Sequence, residues 1–137
     1  MIPYVLIPIA AWLVAGCVKF LVNFLRFGRA AFALIGNGGF PSTHTTVVSS
    51  AVFFVVFKEG VNSSVAVIAM ALLLVVVIDA MGLRRAVGRQ AAALNTHVLR
   101  PAGETPLRER QGHKPYEVAG GLLLGLMVAW LAGGVWL

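Results

Sequence analysis

Two histidines, a carboxylate four residues after one of them, and a set of cations are the groups able to do chemistry in this chain. His113 and Glu117 are spaced i, i+4, which puts them on one face if a helical turn includes both. A carboxylate bonded to one ring nitrogen fixes the tautomer and leaves the other nitrogen as a nucleophile or base. Pro115 lies between them and suits a helix start, so His113 falls at the helix edge. The plainer alternative is a histidine satisfying a helix end, with Glu117 as an ordinary first-turn acid. His44 follows Pro41-Ser42-Thr43, another helix start at which Ser42 or Thr43 can cap. Free N–H groups and the dipole at such ends favour an anion, phosphate above all. Lys19, Arg26, Arg84 and Arg85 would add charge-assisted bonds. His97 reads as an ordinary surface residue. No metal is expected, because the three histidines lack ligand spacing and H-x-x-x-E alone is not a zinc signature. A haem between His44 and His113 is the other group such a bundle can hold, but it has no need of adjacent cations.

The elements that must position these groups follow from composition. The chain has 137 residues, of which 59% are hydrophobic and 12% charged, with mean hydropathy +0.89. Soluble domains run at roughly 45–50% apolar and about 25% charged. A water-soluble monomer and a disordered chain are both excluded on these grounds, leaving an integral membrane protein. The net charge of +6 therefore points to anionic lipid or phosphate, and not to nucleic acid. A single cysteine, Cys17, excludes an intrachain disulfide. Leu13 to Cys17 resembles a lipoprotein cleavage box. No positive segment precedes it and the apolar run continues past it, so Cys17 reads as a plain helix residue.

Four spans are expected in a single domain covering residues 1–137. The first runs from 2 to about 25, followed by a Gly-rich connection at 27–40. The second starts after Pro41-Ser42-Thr43 and ends near 57, with a tight turn at 58–62. The third covers 63 to 78 and ends at Asp79. A short helix at 84–99 is expected on the membrane surface, then an irregular loop at 101–112. The fourth runs from 116 to 137, where Gly121 and Gly125 form a small-xxx-small pair for helix packing. Left exposed, that pair would also suit a homodimer.

Alternating spans bring the end of the first, the start of the second, the end of the third and the start of the fourth to one membrane side. All of the 11 basic residues except Lys58 lie there. Cytoplasmic loops are rich in Lys and Arg, which explains Arg29, Arg89 and Arg100 and predicts a site facing the cytoplasm. It explains Lys19 and Asp79 less well, since ionisable groups within spans are costly and usually functional. The competing readings are that Lys19 snorkels to the interface and that Asp79 simply pairs with Arg84 or Arg85.

The arrangement resembles the type 2 phosphatidic acid phosphatase superfamily, which includes vanadium-dependent haloperoxidases. Lys19 and Arg26 match the K-xxxxxx-R of its first motif, with Phe27 in place of proline. Pro41-Ser42-Thr43-His44 is similar to its P-S-G-H, with Thr43 for glycine. His113 to Glu117 is similar to the end of its third motif, with Glu117 for aspartate. The arginine of that motif falls on Leu107, with Arg108 and Arg110 beside it and Arg84 and Arg85 as the other candidates. A divergent, shortened branch, related to acid phosphatases and vanadium-dependent haloperoxidases, is closer. It shares the segments Gly38–His44, Asp79–Arg85, Gln90–Asn95 and Gly112–Val118.

This resemblance implies a metal-free, cofactor-free membrane phosphatase acting on a lipid phosphate or diphosphate, such as phosphatidate, phosphatidylglycerophosphate or a polyprenyl diphosphate. It would sit in a bacterial inner membrane. His113 would form a phosphohistidine, Glu117 would orient it, and His44 would serve as acid and then base. Lys19, Arg26, Ser42, Thr43 and an arginine among 84, 85, 108 and 110 would hold phosphate, or vanadate in its place, with Asp79 supporting. A membrane protein that binds or scaffolds lipid phosphate without turnover is the alternative.

Overall fold

The computed structural model describes residues 3–35 and 38–134. The expected start at residue 2, the end at residue 137, and residues 36 and 37 of the first connection lie outside them. The described residues are all-α. The elements are α1 (Leu6–Phe27), a 3-10 segment (Gly28–Leu34), α2 (Thr43–Glu59), α3 (Ser64–Met81), α4 (Leu83–Leu94) with a π-helical extension (Asn95–Leu99), and α5 (Pro115–Gly134).

Three segments among the described residues are long and apolar enough to cross a membrane: α1 with the 3-10 segment, α3 with α4, and α5. The second expected span, α2, has 17 residues, or about 25 Å of length against a ~30 Å hydrocarbon core. It is the hub of the bundle, packed against α1, α3 and α5. That placement explains its composition. Thr45, Thr46, Ser49 and Ser50 are all fully buried, and a helix surrounded by protein need not be apolar all round.

Lipid tails are as apolar as leucine, so helices in a membrane associate through close packing and hydrogen bonds. The α2–α5 contact shows how. Gly121 and Gly125 are both buried there. A Cβ on Gly121 would come within 2.7 Å of the Ser42 carbonyl, and one on Gly125 would meet Ser49 Oγ. The resulting approach lets Ser49 Oγ donate to the Gly121 carbonyl at 3.3 Å. The glycine pair expected to be exposed, and to suit a homodimer, is therefore consumed within the chain. At the far end, Ile7, Phe54 and Ala129 form the buried cluster, with Tyr4 edge-on to Phe54 at 4.9 Å.

The first connection is more ordered than expected. Residues 28–34 wind into a 3-10 helix that folds back on α1, burying Ala31 and setting Phe32 against Phe20 at 5.1 Å. The helix expected at 84–99 forms, but nearly continuous with α3. Only Gly82 intervenes, and it keeps its N–H bond to the Ile78 carbonyl at 2.8 Å. At 58–62 the tight turn is present, with Gly60 in the positive-φ region at φ 84° and Ser63 capping α3 through the Ala66 N–H at 3.1 Å.

Candidate functional site

A cavity of about 780 Å³ lies along α1 from Trp12 to Asn23, facing the N-terminal ends of α2 and α4 and the segment that leads into α5. One part is polar, lined by Lys19, Asn23, Thr43, His44, Arg84, Arg108, Arg110, Gln111 and His113. The rest is apolar, lined chiefly by α1 and the 3-10 segment.

Each functional group arrives by a local rule. Ser42 has extended backbone and caps α2, its hydroxyl accepting from the Thr45 N–H at 3.4 Å and sharing a 2.8 Å bond with Thr45 Oγ1. That cap starts α2 so that Thr43 and His44 emerge at the cavity. The Ser42 N–H donates to the Glu117 carbonyl at 2.9 Å, tying the starts of α2 and α5 together. His113 is held through its backbone, its N–H donating to the Ala80 carbonyl at 2.9 Å. Gly112 beside it has φ 79°, and a Cβ there would strike the Arg85 side chain and backbone.

The His113 ring is 7% exposed, with Nδ1 3.0 Å from Glu117 Oε2. The same carboxylate oxygen accepts the Lys114 N–H at 2.9 Å. Glu117 therefore spans the helix start, and the Nδ1 side of the ring is taken. Nε2 is the nitrogen left for the cavity. Burial pushes the His113 pKa below its ordinary value; the Glu117 hydrogen bond opposes this, and the Lys19 and Arg84 charges reinforce it. The ring is accordingly neutral at neutral pH, the form with a free lone pair.

The cations sort into two groups. Lys19, Arg84, Arg108 and Arg110 line the cavity. Arg84 is fixed there by Asp79, whose Oδ2 lies 2.6 Å from Arg84 Nε. Arg26 and Arg85 are exposed and, among the described residues, do not line it. Arg26 shares a helical face with Lys19 but stands seven residues on, about 10 Å further along α1. Arg85 is rotated by about 100° from Arg84 on α4. Ser42 is fully buried behind the wall, in its capping role.

Sequence reasoning missed Asn95 as a functional residue. It is fully buried, and its side chain clamps the strap leading to α5. Asn95 Nδ2 donates to the Leu107 carbonyl at 2.7 Å and to Glu109 Oε1 at 2.8 Å, while Oδ1 accepts the Leu107 N–H at 2.7 Å. Arg100 joins Glu109 at 3.1 Å. Gly88 lets the strap lie close, since a Cβ there would fall 2.5 Å from the Glu109 carbonyl. These bonds fix the segment that carries Arg108 and Arg110 into the cavity. The signal was present: Gly88, Ala91 and Asn95 form one inward helix face, and a polar residue on a buried face demands partners.

The arrangement can bind a tetrahedral dianion and present an imidazole nitrogen to it, with a second imidazole on the same wall. No solved structure matches the chain. A relative, the "Uncharacterized membrane protein YuiD" of Bacillus subtilis, is 28% identical over 137 residues, covering 88% of this chain and 87% of its own. The family model described as the Divergent PAP2 family matches residues 3–128. That match takes in Lys19, His44, Asp79, Arg84, Asn95, His113 and Glu117 together, and the chain belongs to the Divergent PAP2 family.

Proposed function

We propose that the protein is a membrane phosphatase that hydrolyses a lipid phosphate or diphosphate through a phosphohistidine. One observation carries the reading: a buried, neutral histidine, oriented by Glu117, presents its free nitrogen to a cavity lined by four cations. His113 Nε2 attacks phosphorus in line, forming a P–N bond as the P–O bond to the leaving group breaks. His44 gives its proton to the departing oxygen. Water then attacks phosphorus, its proton passing to His44, and the P–N bond breaks to release phosphate and restore His113. Lys19, Arg84, Arg108 and Arg110 hold the phosphoryl oxygens and the charge that develops on them; such positioning and electrostatics supply most of phosphoryl-transfer catalysis. Thr43, in the first turn of α2, adds to the anion site. The surplus of cations at this end of the bundle supports a site on the cytoplasmic face of the membrane.

The test is phosphate release by purified protein across a panel of phosphatidate, phosphatidylglycerophosphate and polyprenyl diphosphate. Turnover of at least one, inhibited by orthovanadate, insensitive to EDTA and lost in His113→Ala, is the expected result. Lipid-phosphate binding without turnover, unaffected by His113→Ala, would replace catalysis with a binding role.

A further inference from the structure

The apolar part of the cavity is larger than a phosphate requires. On α1, residues 12, 16, 19 and 23 fall within a sector of about 60° at 100° per residue, and all four line the cavity. The C-terminal members, Lys19 and Asn23, are polar. Trp12 and Gly16 are not, and the distance from Trp12 to Lys19 is about 10 Å along the axis. The opposite wall is the 3-10 segment and the residue that follows it, through Ala31, Leu34 and Ile35. This segment is fastened by the Phe20–Phe32 contact, with Ala31 only 1% exposed. The α1 wall is open at its middle: a Cβ placed on Gly16 meets nothing within 4 Å. The cavity thus has a cationic end continuous with an apolar groove, one wall of which carries a residue without a side chain.

We infer that this groove binds a hydrocarbon chain of the substrate whose phosphate lies at Lys19 and His113, and that Gly16 sets whether the chain fits. The inference rests on the lipid-phosphate reading above. A phosphate gripped at the cationic end sends its ester substituent into the remaining volume of the same cavity, and that volume is apolar. A side chain at position 16 would occupy the path while leaving the phosphate end untouched, because Gly16 lies on the far side of Lys19 from Asn23.

The chain's single cysteine reports on the groove directly, since Cys17 is exposed and lines the cavity. In nanodiscs, dodecyl phosphate is expected to slow maleimide labelling of Cys17 by roughly tenfold, whereas inorganic phosphate and dodecanol leave the rate unchanged. Gly16→Leu is expected to abolish this protection. It should lower kcat/KM for dodecyl phosphate by roughly tenfold or more and leave butyl phosphate within about twofold, with Gly16→Ala intermediate. Equal protection by dodecanol would mean that bulk bilayer lipid fills the groove. That result overturns the inference, as would equal effects of Gly16→Leu on both esters. Protection without any hydrolysis by the wild type would preserve the groove and remove the phosphatase; hydrolysis with unprotected Cys17 would do the reverse.

Discussion

Glu117 Oε2 lies 3.0 Å from His113 Nδ1 and 2.9 Å from the Lys114 backbone nitrogen, so one carboxylate oxygen orients the ring and satisfies a free N–H at the start of α5. Removing the ring and removing its orienter should have different consequences. His113→Ala should reduce turnover by roughly three orders of magnitude or more, and Glu117→Gln by roughly a hundredfold, both measured as kcat on the best lipid of the panel. Phosphohistidine trapped by an alkaline, denaturing quench should disappear in the first variant and persist at a reduced level in the second.

The pH profile carries a second expectation. Because the His113 pKa is depressed, the nucleophile stays neutral down to a pH below the ordinary imidazole value of about 6.5. Activity should fall as pH drops through that lowered pKa, so the acid limb of kcat/KM lies below 6.5. The Glu117 hydrogen bond and charge hold the pKa up. Glu117→Gln should therefore move the limb to still lower pH. The ionisation of the substrate phosphate is common to both proteins, so the displacement between the two profiles isolates the histidine. An upward displacement would contradict the electrostatic assignment.

Asn95→Ala should release the strap. The loss of three hydrogen bonds made by this buried side chain is expected to cost about 1–3 kcal/mol at the clamp. Trypsin cleavage after Arg108 and Arg110 should accelerate, and KM should rise more than kcat falls, because those arginines leave the anion while His113 keeps its own anchor at Ala80. A thermal melt reads the stability loss separately.

Gly125→Val should break the bundle centre. The added side chain meets Ser49 Oγ, which can rotate aside, and the Thr46 carbonyl and Ser50 backbone nitrogen, which cannot yield without moving α2. Overpacking of this kind costs about 1–3 kcal/mol or more. A lowered melting temperature together with lost activity is the expected outcome. Leu123→Val on the exposed side of the same helix should leave both unchanged.

Several features were legible before any fold was known. Apolar run lengths set the helices, prolines and Ser42 marked their starts, and the cations clustered at one end; these are properties of local composition and periodicity. His113 and Glu117 were readable as a pair because they are separated by four residues. What spacing along one chain segment does not reveal is which distant segments touch. Arg84 and Arg85 are neighbours in sequence, yet only Arg84 meets Asp79 and the cavity, since 100° of helix rotation separates their directions. Arg26 had the motif spacing and Arg110 did not, yet Arg110 lines the cavity because Asn95 holds its strap there. Gly121 and Gly125 offered a packing stripe whose partner only the fold could choose, and it chose α2. Local sequence determined the helices and the charges at their ends, whereas the site depended on packing between helices, which assigns each side chain its neighbours.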